Sequence, residues 1–509
     1  MAEEVTPVPD DDARFKTDHL QADLGKRSVR GGALAIGTQG AKFFLNLLST
    51  VVLARLIAPA DHGLVFMTAS VTGLIGLVKE FGLPTAAIQK AEVNHKLAST
   101  LFWLNVLAGL GTTLLTAAIA PLIAWFYGER RLTMIAVVTG CCYLIDAFGL
   151  QHDALLRRQM RFGRYAYTEL LSTVIGLAAA IAFALAGFGY WALVLRQMTM
   201  SIVKTVAVWV GTGWMPGPPS RRTGARALLR AGGEMTGESL LLYVARNLDN
   251  VLIGWRWGSR ELGNYGRVYY LLLMPVRQII WPLESVTLPL LSRLLNDPDR
   301  YRSAYLRMLE KIAMLTMPGA ILAVAMPDWI VHVFLGPNWA EAAPILAWLG
   351  AAALIEPVLN STNWLFISQG RTRELLYAGL ASAGVTVAAI VIGLPFHAHG
   401  VAAAIAISSL LLRTPLLIGW VGRRGAVGSA AFYRALVPGA CAAAGEYVAL
   451  WIFRHLFPGI APLTGLVSGC VLAGAVAFLI FLAVPAGRRA LADGLTWFNL
   501  LRKKNAGAK

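Results

Sequence analysis

Charged and amide side chains interrupt several long apolar runs of this chain, at positions where they could bind a charged molecule. In GTQGAKFFLNLLSTVVLARLI, residues 37–57, a lysine and an asparagine stand among Leu, Val, Phe, Ala and Gly. On a helix the polar residues of this segment share one face: Gln39, Lys42, Asn46, Ser49 and Thr50. An ionised lysine in the middle of a bilayer costs about 2.5–3.5 kcal/mol. A partner or water must relieve that cost, so we expect this face to meet polar groups.

Three later apolar runs carry polar stripes of the same kind. The first holds Arg196, Gln197, Ser201 and Lys204, the second Glu234, Glu238, Arg246, Asn247 and Asp249, and the third Arg267, Arg277, Gln278, Trp281, Glu284 and Ser285. Basic side chains at such depth can bind an anion, and the planar guanidinium of arginine matches two phosphate oxygens at once. The acidic side chains can instead pair with neighbouring bases or bind a coupling cation. Both interpretations remain open for Glu234, Glu238, Asp249 and Glu284.

The composition sets the class of protein that must position these residues. Of 509 residues, 57% are hydrophobic and only 14% are charged, whereas a soluble domain carries about 25% charged residues. The chain is therefore predicted to be a polytopic membrane protein. Its net charge of +17 comes from short basic segments between apolar runs, a pattern that reflects membrane topology and not nucleic-acid binding.

A helix needs about 20 apolar residues to cross the hydrocarbon core of a bilayer. By this measure the sequence predicts an all-α integral membrane protein with about 14 transmembrane helices. We place them at 32–57, 62–82, 98–126, 132–150, 165–187, 189–212, 230–255, 265–292, 306–335, 340–368, 373–395, 398–421, 430–454 and 462–484.

The distribution of arginine predicts the orientation of these helices. Basic residues concentrate in alternate connecting segments, at 157–164, 221–230, 293–307, 371–373 and 423–434, and in the C-terminal tail. The other connecting segments hold few, namely Arg130, Arg131, Arg256, Arg260 and Arg454. Because positive charge marks the cytoplasmic side, both termini are predicted to be cytoplasmic.

The connecting segments also argue against an enzyme. None is long enough for a soluble catalytic domain, and no pairing of histidine with aspartate stands out as an acid–base site. The four cysteines, Cys141, Cys142, Cys441 and Cys470, lie inside apolar runs without metal-ligand spacing. We therefore predict a protein that is not an enzyme and needs no metal or cofactor.

A weak internal repeat suggests two lobes. Residues 230–272, RAGGEMTGESLLLYVARNLDNVLIGWRWGSRELGNYGRVYYLL, echo residues 29–71, with a basic lead-in, two glycines, a long helix and a glycine-containing turn at Gly63 and Gly263. Six helices separate the copies, so a pseudo-two-fold axis along the membrane normal would relate them. The predicted organisation is a cytoplasmic tail (1–28), a six-helix lobe (29–212), a cytoplasmic linker (213–229), a second six-helix lobe (230–425), a C-terminal helix pair (426–484) and a cytoplasmic tail (485–509).

Two segments resemble a known family. LARLIAPADHGLVFMTASVTGLIGLVKEFGLPTAAIQK (53–90) and VFLGPNWAEAAPILAWLGAAALIEPVLNSTNWLFISQGRTREL (333–375) are similar to the Wzx-type oligosaccharide flippases. These polysaccharide transporters belong to the multidrug/oligosaccharidyl-lipid/polysaccharide exporter superfamily. The resemblance implies a two-lobe transporter that works by alternating access. It further implies an undecaprenyl-diphosphate-linked oligosaccharide as substrate, in the bacterial inner membrane, for surface polysaccharide synthesis. Membrane lipids, a polysaccharide polymerase and export machinery are the implied partners, and no fixed site residue carries over.

If the substrate is a lipid diphosphate, the polar stripes are expected to bind it. A lipid diphosphate brings about two negative charges to the bilayer midplane, where cationic walls would compensate them. We expect the substrate-binding residues to be Lys42, Asn46, Arg196, Lys204, Arg246, Arg277 and Trp281. The alternatives are a structural ion-pair cluster around Arg246, a cation-coupled small-molecule exporter of the same superfamily, and a membrane polysaccharide polymerase or ligase.

Overall fold

The computed structural model describes residues 24–80, 94–220, 225–485 and 487–489. All regular secondary structure within these ranges is helical. The helices are α1 (Leu24–Leu56), α2 (Pro59–Glu80), α3 (His95–Tyr127), α4 (Arg131–Arg158), α5 (Phe162–Leu185), α6 (Tyr190–Thr212), α7 (Ala225–Arg293), α8 (Pro298–Ala325), α9 (Pro327–Phe334), α10 (Ala342–Ala353), α11 (Glu356–Ser368), α12 (Thr372–Gly393), α13 (His397–Ser408), α14 (Thr414–Arg424), α15 (Ser429–Leu456) and α16 (Pro462–Ala483). A π-helical turn, Ser409–Arg413, joins α13 to α14.

The all-helical membrane class predicted from the sequence is confirmed. Eleven stretches of the described residues are long and apolar enough to cross a membrane. One of them, Thr372–Arg423, has 52 residues, or about 78 Å at 1.5 Å per residue, which is enough for two crossings. The predicted spans at 230–255 and 265–292 lie on α7, which is not among the eleven and is broken at Gly258 (φ 82°). The count of 14 therefore stays a prediction.

Proline explains two departures from the predicted helix boundaries. The predicted helix 306–335 is divided between α8 and α9, because Pro327 disfavours helical geometry at Met326 (φ −131°, ψ 44°). The predicted helix 340–368 is likewise divided between α10 and α11, just before Pro357. A third departure runs the other way, since α4 continues to Arg158 and not to residue 150.

The chain divides into two compact units, Met1–Gly263 and Asn264–Lys509. In the first unit α4 packs on both α3 and α6, and α5 packs on both α1 and α6. Small residues allow close approach in these pairs: a Cβ on Gly109 of α3 would lie 2.4 Å from the Ala147 Cβ of α4. Phe44 of α1 is 68% exposed, as expected for a side chain that faces lipid.

At one end of the first unit, the start of α2 packs tightly against the broken part of α7. A Cβ on Gly63 would lie 1.7 Å from the Ser259 carbonyl oxygen, and one on Gly263 would lie 1.9 Å from the Pro59 carbonyl oxygen. Further along α7, the Tyr243 hydroxyl donates to the Ala69 carbonyl at 2.8 Å. These contacts place α7 up to Gly263 in the first unit, beyond the predicted linker at 213–229. The predicted lobe boundaries remain a prediction.

At the other end of this unit, the segment after α6 is fastened to the start of α3. The Trp214 indole donates to His95 Nδ1 at 3.1 Å, and the Gly217 amide donates to the Ser99 hydroxyl at 2.9 Å. The Trp103 indole N–H donates a hydrogen bond to the Gly217 carbonyl at 2.9 Å. This segment is therefore an ordered part of the first unit.

The second unit is built around α8 and α15. Gly439 of α15 allows close contact, since a Cβ there would lie 2.8 Å from the Ala313 carbonyl oxygen of α8. The core of this unit contains aromatic residues on three helices, α8, α11 and α15, and Leu417 on α14. The aromatic residues are Tyr301, Tyr305, Trp364, Phe366 and Phe432. Its buried hydroxyls are paired, with Tyr301 and Ser368 at 2.7 Å and Tyr305 and Ser361 at 3.0 Å.

Candidate functional site

The first unit contains a polar cavity of about 380 Å³. Helices α1, α4, α5 and α6 surround it. Its lining includes three basic side chains, Lys42, Arg157 and Lys204, three acidic ones, Asp146, Asp153 and Glu169, and the polar residues Ser172, Thr173, Gln197, Ser201 and Thr205. The formal charges of the six ionisable groups therefore cancel.

Helical spacing collects these residues on inward faces. On α5, Glu169, Ser172 and Thr173 lie at i, i+3 and i+4, and on α4, Asp146, Asp153 and Arg157 lie at i, i+7 and i+11. Gly149, which lies between Asp146 and Asp153 on α4, also lines the cavity. The polar stripe predicted on α1 supplies Lys42, and the stripe predicted on α6 supplies Lys204.

Glu169 is the centre of the charged network. One carboxylate oxygen, Oε2, accepts a hydrogen bond from Lys42 Nζ, and the other, Oε1, lies 2.6 Å from Lys204 Nζ. The Glu169 side chain is only 10% exposed, whereas those of Lys42 and Lys204 are 31% and 37% exposed. One buried carboxylate thus joins α1, α5 and α6 and supplies the counter-charge that Lys42 requires in a membrane.

Asp153 extends the network to α4. Its Oδ2 lies 2.8 Å from Arg157 Nη2, and its Oδ1 lies 3.9 Å from Lys204 Nζ. Arg157 also donates to the Tyr165 hydroxyl at 2.9 Å, and its guanidinium lies 4.6 Å from the centre of that ring. Lys204 therefore lies between two carboxylates, and Arg157 is held by both an acid and an aromatic face.

Asn46 and Arg196 form a separate contact beside this network. Arg196 Nη2 donates to Asn46 Oδ1 at 3.4 Å, a long bond. Neither residue is among those that line the cavity. Of the seven predicted substrate-binding residues, the structure thus brings Lys42 and Lys204 together and pairs Asn46 with Arg196.

The predicted residues on α7 lie elsewhere. In the first unit Arg246 is exposed, and Asp249 is buried with its Oδ1 accepting a hydrogen bond from the Asn250 amide at 2.8 Å. In the second unit Arg277 is exposed and Glu284 is half-buried. None of these four lines the cavity. The side chains of Glu234, Glu238 and Trp281 lie outside the described residues.

Sequence reasoning missed three members of the network. Glu169 is a single carboxylate inside the predicted span 165–187, the same signal that identified Lys42, whereas Asp153 lies just past the predicted span 132–150. Arg157 was counted only as a cytoplasmic loop residue. It lies in the cavity because α4 continues for two more turns than its apolar run predicts.

A second charged cluster, in the second unit, was also missed. Arg413 Nη1 donates to Glu356 Oε1 and, at 2.9 Å, to the Ser409 hydroxyl, and Arg413 Nε donates to the Ser382 hydroxyl at 2.9 Å. The π-helical turn contains both Ser409 and Arg413, and Thr414 donates to the Ser409 carbonyl at 2.6 Å across that wider turn. Wide turns of this kind are frequent at functional sites.

Between two of the candidate membrane spans, an ion pair lowers the pKa of the Glu129 carboxyl group. Arg131 donates from Nε and Nη2 to the Glu129 carboxylate at 3.0 and 2.8 Å, and these bonds hold the pKa of Glu129 below its usual range. Over the part of the chain that the structure describes, no group of three or more His, Cys, Asp and Glu side chains could hold a metal ion.

Comparison with known sequences identifies related proteins. The profile of the family described as "Polysaccharide biosynthesis protein" matches residues 52–344, more than half of the chain. The teichuronic acid biosynthesis protein TuaB of Bacillus subtilis is 25% identical over 306 residues, which cover 59% of this chain and 63% of TuaB. The lipopolysaccharide biosynthesis protein WzxC of Escherichia coli is 21% identical over 69% of this chain and 71% of WzxC. The succinoglycan biosynthesis transport protein ExoT of Rhizobium meliloti is 22% identical over 68% of each chain.

Comparison with solved structures identifies the fold. The lipid II flippase MurJ, in an inward closed conformation, superposes with a TM-score of 0.66 at 11% identity, covering 89% of this chain and 99% of MurJ. An inward-facing multidrug resistance transporter of the MATE family superposes with a TM-score of 0.55 at 15% identity, covering 79% of this chain and 94% of that one. At these identities the likeness concerns the fold alone.

Proposed function

Because this chain belongs to the polysaccharide biosynthesis protein family, we propose that it moves a lipid-linked oligosaccharide across the bacterial inner membrane. The substrate of this proposal is an undecaprenyl-diphosphate-linked repeat unit for a surface polysaccharide. Transport proceeds by alternating access, and both termini lie in the cytoplasm.

The charged cavity of the first unit is the observation that carries this proposal. Its lysines, Lys42 and Lys204, lie on helices long and apolar enough to cross a membrane. Holding ionised groups there is expensive, so their presence favours a functional role over a purely structural one. A diphosphate group needs compensating positive charge at this depth, and lysine and arginine both provide it.

The uncharged polar side chains that line the cavity can form hydrogen bonds with the sugar part of the substrate. Hydroxyl and amide side chains, such as Ser172, Thr173 and Gln197, offer donors and acceptors of the kind that sugar hydroxyls need. The volume of about 380 Å³ matches the lower range of small-molecule sites. In the proposal this cavity receives the diphosphate and the first sugar, and the lipid chain stays in the bilayer.

The names of the related proteins support the same class of substrate. TuaB is named for teichuronic acid biosynthesis, WzxC for lipopolysaccharide biosynthesis and ExoT for succinoglycan biosynthesis transport. A polysaccharide polymerase and export machinery would act on the product, and they are the partners that we propose.

A small-molecule exporter is the second candidate. The observation that favours it is the set of three carboxylates in the cavity, Asp146, Asp153 and Glu169, which could attract a cationic compound. A membrane polymerase or ligase is a weaker candidate, because it needs a nucleophile or an acid–base pair at a fixed site. Five of the six charged side chains that line the cavity, Lys42, Asp153, Arg157, Glu169 and Lys204, are held in ion pairs.

The decisive experiment measures lipid-linked intermediates in cells that lack this protein. We expect the repeat unit to be synthesised and to accumulate on the cytoplasmic face, and surface polysaccharide to be lost. Absence of the repeat unit would instead indicate a role in synthesis. Normal polysaccharide together with increased sensitivity to cationic drugs would favour the small-molecule exporter.

A further inference from the structure

We propose that Glu169 occupies the place of the substrate's phosphate while the cavity is empty, and that an incoming phosphate displaces it from Lys42 and Lys204. This inference rests on the proposed function and adds a mechanism to it. The lysines would exchange one anion for another, and Glu169 would set how tightly the substrate is held.

The geometry of the contact supports such an exchange. The two oxygens of one carboxylate each receive one ammonium group, Oε2 from Lys42 and Oε1 from Lys204. A phosphate group also presents two oxygens on one central atom. The same two lysines can therefore bridge a phosphate with little change in their own positions.

The burial of these side chains indicates that a ligand can reach the two lysines from the cavity while Glu169 is bound to them. Glu169 is 10% exposed, and it approaches the two lysines from α5, while the lysines are about three times more exposed. Their ammonium groups thus keep access to the cavity even while Glu169 holds them. The cavity is large enough for several waters, which could solvate the carboxylate once it is displaced.

The balance of charge explains why such a residue would be needed. An unpaired ammonium inside a membrane protein is costly, and an empty site without Glu169 would leave Lys42 without its carboxylate and Lys204 with only Asp153, 3.9 Å away. With Glu169 present, the three bases and three acids of the cavity cancel in the absence of substrate. A diphosphate must then compete with an existing partner, which lowers its affinity and speeds its release on the far side.

A purely structural role for Glu169 makes the opposite prediction for binding. In that case the carboxylate only fastens α1 to α5 and α6, and its removal weakens the site together with the fold. In the exchange mechanism, removing the carboxylate frees Lys42 and leaves Lys204 with only the more distant Asp153, so the ligand meets less competition and binding becomes tighter.

The test measures binding to the purified full-length protein in lipid nanodiscs. Three probes are used: farnesyl diphosphate as a short lipid diphosphate, inorganic pyrophosphate as the free anion, and farnesol as the uncharged lipid. We expect Glu169→Gln to bind farnesyl diphosphate about tenfold tighter than the wild type, which corresponds to about 1.4 kcal/mol.

Glu374→Gln is the matched control, because Glu374 pairs with Arg371 at 2.5 Å in the second unit, outside the cavity. Its affinity should equal that of the wild type.

Two further variants guard against misfolding. Glu169→Asp keeps the charge on a shorter side chain, so it should free one lysine and give intermediate affinity. The double variant Lys42→Met/Glu169→Gln removes one base with its acid, and it should fold normally and lose the gain in affinity. Addition of pyrophosphate should also raise the melting temperature of Glu169→Gln more than that of the wild type, because the anion replaces the missing carboxylate.

Unchanged or weaker binding of both diphosphate probes by a folded Glu169→Gln variant overturns the exchange mechanism and leaves the proposed function intact. If no variant and no wild-type protein binds either diphosphate better than farnesol, the proposed substrate site itself is wrong. Equal gains for pyrophosphate and farnesyl diphosphate support exchange with any phosphate, and a gain confined to farnesyl diphosphate supports exchange with a lipid headgroup.

Discussion

Lys204 Nζ lies 2.6 Å from Glu169 Oε1, and this contact joins two helices that are long and apolar enough to cross a membrane. The same carboxylate also accepts a hydrogen bond from Lys42. Three charged groups on three helices therefore share one small region. The costs of burying them are offset only while the cluster stays together or while a ligand replaces one member.

Neutralising Lys42 should strongly reduce transport and leave the protein in the membrane. Lys42→Met removes a costly charge from the span, and Lys204 still pairs with Glu169, so insertion and protein level should be normal. A hydrogen bond to a charged group is worth about 1.5–3 kcal/mol, so export should fall by about tenfold or more. Surface polysaccharide and membrane protein level are measured together in a complementation strain.

Lys42→Arg is the matched control, because it keeps the charge. It should retain more export than Lys42→Met does. Normal export by Lys42→Met at normal protein level would contradict a role of this lysine in the substrate path.

The sequence was sufficient to predict that Lys42 needs a partner or water, but not which of these, nor which residue a partner would be. A charge in an apolar run has a local energetic cost, and that cost can be read from the run itself. The partner, Glu169, is far away in the chain, and only the packing of α1 on α5 brings it near. The ion pair between Lys204 and Asp153 could not be predicted for the same reason, because the two residues are distant in the chain and meet only where α4 packs on α6.

The fold class could be predicted because it depends on length and hydropathy. The resemblance to the polysaccharide transporters is confirmed by the family match. Helix ends were predicted less well, since α4 continues past its apolar run to Arg158. This extension carries Arg157 to the rim of the cavity, where its exposed side chain pairs with Asp153 and contacts the Tyr165 ring.

Gly63→Ala should destabilise the first unit. A Cβ at this position would lie 1.7 Å from the Ser259 carbonyl oxygen, and a backbone atom cannot move aside as a flexible side chain can. Overpacking of this kind costs about 1–3 kcal/mol, so we expect a lower melting temperature in detergent and a lower protein level.

Gly111→Ala provides the matched control on α3. A Cβ there meets nothing within 4 Å, so the change should be neutral or stabilising by about 0.5–1 kcal/mol, as alanine favours helix over glycine. Equal melting temperatures for the two variants would show that the contact between Gly63 and Ser259 is looser than described.

The cluster at the π-helical turn should behave as a buried ion pair. Glu356→Gln alone leaves Arg413, whose side chain is 15% exposed, without its carboxylate, and breaking such a pair costs about 3–5 kcal/mol. The double variant Glu356→Gln/Arg413→Gln should recover part of this loss, as measured by thermal unfolding. Additive losses in the double variant would mean that the two residues act independently.

The asymmetry of arginine predicts the topology of the chain. Reporter fusions after residues 225 and 427 should be cytoplasmic, and fusions near 259 and 337 should be periplasmic. The break at Gly258 agrees with a turn near 259. A cytoplasmic signal at 337 would contradict the two-lobe arrangement predicted from the sequence.

Glu446 on α15 offers a test of a buried carboxylate outside the cavity. It is 1% exposed, and among the described residues neither of its carboxylate oxygens has a hydrogen-bond partner. An ionised carboxylate in such surroundings costs several kcal/mol, so replacing it with a neutral group of the same shape should not harm the fold. Glu446→Gln should therefore melt at the same temperature as the wild type or higher, and Glu446→Lys should prevent accumulation of the protein. Loss of export by a stable Glu446→Gln variant would reveal a functional need for the carboxyl group, and a large fall in melting temperature would show that the acid makes a stabilising contact.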